Sequence, residues 1–393
     1  MWFILATLLI DAIGVGIIFP IMPDLLARVG AGSVADSAFW GGVLMAAYAG
    51  MLFVFGPVVG GLSDAIGRRP VLITSMAVLA LDYVIMALAS SFWMLLAGRL
   101  LAGIAGANHI TATAYLADIS EPHKRAANFG LVGAVYGIGF VMGPTIGGLA
   151  AAWSLSAPFW LAAGFAGLNA LVGLIALPES LAPDKRRALR LGAVNPLGSI
   201  MEVVRLPGLA LPLGCLFVFE FAGMVYVTIW AYWLKELFDW PTALIGLTIT
   251  LYGVGLAITQ GGILRLLLPR LGEFRTLILG VVASIVAAVG FGLIRSEWMV
   301  FALLPMAMLS EMAPPTLTAL MSNRMGEDVQ GKLQGVIASL GSVAAIAAPL
   351  TMTWIFRLFA APDARVYLPG APFLFSAFLI LAVLPFFLKL KRE

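Results

Sequence analysis

The sequence predicts an all-α integral membrane protein with twelve transmembrane helices in two six-helix halves. Three observations carry this. The 393-residue chain is 62% hydrophobic and only 11% charged, with a mean hydropathy of +1.03, whereas soluble domains average about 45–50% apolar and about 25% charged. Apolar runs long enough to cross a bilayer, which takes about 20 residues, recur twelve times. The second half also repeats features of the first at a constant spacing, which slips only at the last run, where "APF" at Pro158 recurs at Pro372.

Taken in order, the first six spans are expected at 2–27, 39–62, 71–90, 93–117, 126–152 and 158–178. The first begins at Trp2 with no basic segment before it and no small-residue cleavage site after it. It therefore reads as a retained helix, not a signal peptide. Spans two and three are separated only by "GGLSDAIGRRP", residues 60–70. After 178 the chain turns polar and basic, and 179–207 reads as a linker. The second set is expected at 208–234, 242–268, 276–295, 298–322, 334–357 and 371–388, with a longer loop at 358–370 before the last span. The expected domains are thus 1–178, the linker 179–207, and 208–393.

Five coincidences at one offset mark the repeat. Gly50 and Gly255, Gly67 and Gly272, Trp93 and Trp298, Gly130 and Gly335, and Pro144 and Pro349 all lie 205 residues apart. Six helices repeated in one orientation is the parallel-repeat plan of alternating-access transporters. Basic residues set the orientation. Seventeen, among them Arg68, Arg69, Lys124, Arg125, Arg190, Arg205, Arg324, Lys391 and Arg392, fall on one side, and five fall on the other. Both termini and the linker are therefore expected in the cytoplasm.

Charge within the spans is scarce: Asp11, Asp82, Arg99, Glu220 and Glu311. At 1.5 Å per residue each acid lies roughly 15–20 Å from the start of its helix, near mid-membrane. A charge there costs at least about 2.5–3.5 kcal/mol and normally faces a water-filled cavity. A carboxyl that meets water from alternate sides can take up and release a proton, so the four acids are candidate coupling groups. Arg99 cannot lose its proton and is suited to hold a carboxylate. Asn108 and His109 are candidates for substrate contact, as are Glu220 and Glu311. Tyr226 is singled out among the helix 7 aromatics Phe219, Tyr226, Trp230 and Tyr232 as one that could stack on a substrate.

The 60–70 stretch has the makings of a conformational latch. Gly60 and Gly61 permit close approach, and Gly67 can take the positive φ of a tight turn. Asp64 can pair with a cation or a helix N-terminus, while Arg68 and Arg69 can pair with acids such as Asp118. In "GIGFVMGPTIGG", residues 137–148, Pro144 favours a kink. Gly133, Gly137, Gly139, Gly143, Gly147 and Gly148 leave a smooth face for another helix. Cys215 is the single cysteine, so no intrachain disulfide or cysteine metal cluster is possible.

These residues carry a resemblance. G-x-L-S-D-x-x-G-R-R-P resembles the loop 2–3 signature of the major facilitator superfamily, whose fold is the twelve-helix arrangement expected above. "RLLAGIAGA" from Arg99 resembles a helix 4 motif of its proton-coupled members. "GIGFVMGPTIGG" resembles its helix 5 antiporter motif, carried here by Gly137, Gly139, Gly143, Pro144, Gly147 and Gly148. "DAIGVGIIFPIMP" from Asp11, "LDYVIMALA" from Leu81, "YLADI" from Tyr115, "LPES" from Leu177 and "NPLGSI" in the linker are similar to the bacterial tetracycline/proton antiporters. That resemblance implies embedded aspartates at Asp11 and Asp82 and a helix 4 arginine at Arg99. It also implies a histidine in helix 8 and an aspartate in helix 9, but Leu256 and Ser284 stand there. Glu220 and Glu311 are acids where the family is expected to be neutral.

The expected function is proton-coupled export of a small amphipathic or drug-like molecule by alternating access, a multidrug or tetracycline-type antiporter. The alternative is a proton-coupled importer on the same fold. No H-E-x-x-H, G-x-S-x-G or phosphate-cradling loop is present, so neither an enzyme nor ATP drive is expected. No metal or other cofactor is expected, the proton gradient supplying the energy. The expected partners are membrane lipid, protons and a small-molecule substrate, with no nucleic acid, for a monomer in a bacterial inner (cytoplasmic) membrane.

Overall fold

In the computed structural model, residues 1–187, 209–323 and 330–390 are described. Most of the linker, with Arg190 and Arg205, and also Arg324, Lys391 and Arg392, lies outside the described residues. Among the described residues the secondary structure is entirely helical. In chain order the α-helices are α1 (Trp2–Arg28), α2 (Val34–Ile66), α3 (Arg68–Leu88), α4 (Phe92–Ala105), α5 (Asn108–Ile119), α6 (Arg125–Ala151) and α7 (Ala157–Ala176). They continue as α8 (Ala210–Phe238), α9 (Thr242–Ile258), α10 (Leu264–Leu293), α11 (Glu297–Ser310), α12 (Ala313–Asn323), α13 (Gln330–Ala360) and α14 (Ala371–Lys389).

Among the described residues, ten segments are individually long and apolar enough to span a membrane. Two local features reconcile this with the twelve expected spans. The expected span at 93–117 is divided at Gly106–Ala107 into α4 and α5, each too short to qualify alone. Conversely, α9 and α10 run on through a π-helical turn, Thr259–Ile263, as one 52-residue segment. That is roughly 78 Å of helix at 1.5 Å per residue, twice what a bilayer takes. It turns at Gly272, whose φ of 76° and ψ of 166° are not helical. The expected span at 298–322 is also interrupted, at Glu311–Met312, yet still qualifies as one segment, Glu297–Asn323.

These irregularities obey the sequence repeat. Gly67, between α2 and α3, has φ 111° and ψ 157°, matching Gly272 one offset later. The interruption at Gly106–Ala107 lies 205 residues before the one at Glu311–Met312. In α12 the cause is local. Pro314 and Pro315 lack the N–H groups that the carbonyls of Ser310 and Glu311 would otherwise bind.

The chain packs as two compact units. The first comprises Met1–Gly32, Val43–Val194 and Trp240–Thr250. Within it α1 lies along α6 and α3 along α7. The α1–α6 seam is made of backbone: a Cβ on Gly143 would come within 2.8 Å of Gly16 Cα, and one on Gly147 within 3.0 Å of Ile17 Cα. Gly148 faces a different neighbour, the Ala243 backbone at the start of α9, while Gly133 and Gly137 face open space. The glycines of residues 137–148 therefore serve two packing directions instead of one smooth face. Ile4, Leu8, Leu72, Met76, Ala112 and Tyr115 form a buried core among α1, α3 and α5.

The second unit comprises Ser33–Gly42, Asn195–Asp239 and Leu251–Glu393. Here α8 packs between α13 and α14, and α10 packs on α11, α12 and α14. Leu213, Leu216, Phe219, Leu277, Val281 and Phe387 are buried at its centre. The first residues of α2 belong to this unit because Arg357, late in α13, holds Asp36 at 2.9 Å. Four tryptophans, Trp2, Trp93, Trp153 and Trp298, are 68–83% exposed, as in an interfacial aromatic belt, whereas Trp230, Trp233 and Trp240 are buried.

Candidate functional site

The first unit holds a small cavity lined by polar and apolar side chains. Asp82 of α3 is fully buried and ion-paired with Arg99 Nη2 of α4. The two helices are antiparallel neighbours joined by 89–91, which brings residues 17 apart face to face. Gly98 makes the room: a Cβ there would lie 2.6 Å from Asp82 Oδ1. The Arg99 guanidinium also sits 5.9 Å from the Tyr48 ring centroid. Asp11 of α1 accepts a hydrogen bond of 2.8 Å from Asn108 Nδ2. Asn108 opens α5, so the helix interruption is what turns its amide toward α1.

Asp11, Tyr48, Asp82, Tyr83, Arg99 and Tyr136 line the cavity together, around about 30 Å³ of room for water. A water needs roughly 10–15 Å³ on this measure, so two fit. Asp82 Oδ1, Arg99 Nε and Asn108 Oδ1 are buried without a protein partner. Burying the Asp82 charge is tolerable because Arg99 neutralises it. His109, next to Asn108, is exposed and does not line the cavity, but its ring packs T-shaped with that of Tyr136, which does, with centroids 6.2 Å apart.

In the second unit Glu311 stands at the α11–α12 interruption. Tyr252 Oη of α9 donates to Glu311 Oε1 at 2.5 Å. Gln260 Nε2 donates to the Glu311 carbonyl at 3.3 Å, the oxygen left open by Pro315. Glu220, midway along α8, lies within Coulombic reach of Glu311. Tyr226, two turns further along α8, stacks on Tyr252 with centroids 6.1 Å apart. Leu256 lies half-buried in α9 and Ser284 buried in α10.

A third cluster surrounds Gly67. Arg68 contacts Asp64 Oδ1 at 2.6 Å, Asp118 Oδ2 at 3.2 Å and Ser63 Oγ at 2.6 Å. The expected pairing of Arg68 with Asp118 is present. Arg69 instead donates from Nη2 to the Leu174 carbonyl at 2.6 Å. Gly60 and Gly61 lie one turn before Asp64, and a Cβ on Gly60 would meet only the Ile110 side chain, at 3.5 Å. Glu179 completes the cluster. It accepts from the N–H of Arg68 at 2.9 Å and of Arg69 at 3.3 Å. A carboxylate on a helix N-terminus satisfies free donors and complements the helix dipole.

Sequence reasoning assigned no role to Glu179, Tyr48, Tyr252 or Gln260. Glu179 was visible inside "LPES", directly after the apolar run of α7, but its partner lies 111 residues away. Pro314 and Pro315 were a readable signal for the interruption that frees the Glu311 carbonyl.

The sequence model described as "Major Facilitator Superfamily" matches residues 4–349. The chain is 37% identical to the class C tetracycline resistance protein of Escherichia coli, over 90% of this chain and 88% of that one. It is 36% identical to the class E protein of Escherichia coli, over 90% and 86%. Among solved structures, the human organic anion transporter MFSD10 superposes with a TM-score of 0.69 at 24% identity, covering 98% of both chains. At that identity the likeness concerns the fold.

Proposed function

Because the chain belongs to the Major Facilitator Superfamily, and so to a class of multi-span membrane transporters, we propose that it is a proton-driven exporter of a small amphipathic, drug-like molecule. The proposed setting is a bacterial inner membrane with both termini in the cytoplasm. The halves 1–178 and 208–393 act as the alternating elements, and the proton gradient supplies the energy. The single observation that carries this reading is the convergence of Asp11, Asp82 and Arg99 on one water-sized cavity.

Arg99 neutralises Asp82 while the carboxylate is charged. A proton arriving on Asp82 cancels that attraction and releases the guanidinium, which then needs another acceptor. Asp11 lines the same cavity and is already held by Asn108. Proton uptake thus becomes a rearrangement of α1, α3, α4 and α5, the kind of discrete change that biases a two-state protein. The relatives' names associate them with tetracycline resistance, which supports export of a drug. Leu256 and Ser284, at the positions where the resembled family is expected to carry ionisable groups, leave tetracycline itself without its usual partners, so the reading stops at the drug-like class.

The test is transport into everted membrane vesicles with tetracycline and a panel of fluorescent drugs. Acidifying the lumen should drive accumulation, and a protonophore should abolish it. If no compound accumulates in response to the gradient, the antiport reading fails; gradient-driven exit from preloaded vesicles would point to import.

A further inference from the structure

We propose that Glu311 and Glu220, together with the Tyr226–Tyr252 pair, form the subsite for the cationic head of an aromatic substrate, a protonated amine or an onium group. This names the substrate class within the export reading and rests on that reading for its physiological meaning.

The electrostatic argument starts from a contrast. The buried acid of the first unit has its own counter-charge in Arg99. Glu220 and Glu311 are within Coulombic reach of each other, yet among the described residues neither is ion-paired with an arginine, lysine or histidine. Two like charges at mid-membrane repel, and each is costly to hold there. A cation shared between them removes both penalties. Tyr252 holds one oxygen of Glu311, which fixes the carboxylate and leaves Oε2 to meet a ligand.

A second observation points the same way. The Tyr226 hydroxyl is buried without a hydrogen-bond partner, and its ring lies nearly parallel to that of Tyr252, at 22°. Trp230, Phe291 and Phe373 back the Tyr226 ring at 5.7–6.4 Å, so it is held firmly. Aromatic faces beside carboxylates attract organic cations through the ring quadrupole, and a flat substrate gains further by stacking. A group needed only to carry a proton has no use for this aromatic backing. An anionic substrate is repelled by both carboxylates. The position is also the right one in the repeat: Glu311 stands one offset after Gly106, which lines the cavity of the first unit.

The test uses the purified full-length protein in detergent and equilibrium dialysis with tetraphenylphosphonium, a permanent aromatic cation. Tetraphenylborate, an anion of the same shape, is the control. Saturable binding of the phosphonium and none of the borate is expected. Glu311→Gln and Glu220→Gln should each weaken phosphonium binding by about tenfold or more, in keeping with loss of a desolvated charge pair. The proposal is overturned if the wild-type protein does not bind the phosphonium, if the borate binds equally well, or if whichever of the two glutamine variants folds binds as the wild type does. The two readings fail separately. Binding that depends on Glu311 without proton-driven transport sinks the antiport reading alone. Proton-driven transport with binding indifferent to both glutamates sinks the subsite alone.

Discussion

Glu179 places its carboxylate across the first two backbone N–H groups of α3, reaching Arg68 N at 2.9 Å and Arg69 N at 3.3 Å. The same side chain also accepts from the N–H groups of Ser180 and Leu181. One carboxylate thus ties the segment after α7 to the turn between α2 and α3. Glu179→Ala should lower stability by about 1 kcal/mol, the usual worth of a helix cap, and Glu179→Gln by less. Thermal unfolding in detergent reads both, and equal midpoints for wild type and Glu179→Ala would refute the cap.

Arg68 gathers Asp64, Asp118 and Ser63 at 2.6–3.2 Å. Asp64→Asn should leave the protein inserted but slow transport, because the contact that distinguishes the latched state is weakened. Gly67→Val should be worse. The residue sits at φ 111°, outside the allowed region for a β-branched side chain, and a Cβ would lie 2.9 Å from Glu179 Cδ. Transport rates in vesicles normalised to folded protein check both, and wild-type turnover in folded Asp64→Asn would remove the latch.

The Asp82–Arg99 pair should behave as a unit. Arg99→Ala leaves an unpaired buried carboxylate and should cost about 3–5 kcal/mol. Adding Asp82→Asn removes that charge and should restore much of the stability. It should not restore proton-driven transport, whereas exchange of substrate without a gradient should survive. A double-mutant cycle by thermal unfolding, with transport measured alongside, separates the two roles. Additive losses would show that the residues act independently.

Glycine tolerance should divide the residues 137–148 segment. Gly143→Val drives a branched side chain into the α1 backbone and should cost about 1–3 kcal/mol or more through overpacking. Gly137→Ala should be nearly neutral, since nothing lies within 4 Å of a Cβ there. Expression level and thermal midpoint of the two variants give the comparison; equal sensitivity would mean the α1–α6 seam is looser than its geometry.

By itself the sequence determined the membrane class, the twelve apolar runs, the repeat at 205 residues and the handful of charges deep within helices. Each is a local property: apolar length, side-chain type and spacing along the chain are present before any folding occurs. Only the tertiary structure decided which of those charges are partnered. Asp82 finds Arg99, Asp11 finds Asn108 97 residues away, and Glu179 finds the start of α3, while the Glu311 carboxylate receives a tyrosine hydroxyl and its backbone carbonyl a glutamine amide. It also decided where helices break. Gly106–Ala107 reads as ordinary helix from its sequence, and the interruption there is set against close packing, since a Cβ on Gly106 would lie 2.8 Å from Tyr48 Oη. Such outcomes depend on distances between segments far apart in the chain. No run of residues encodes them until the helices have packed and each polar group has either met a partner or been left facing water.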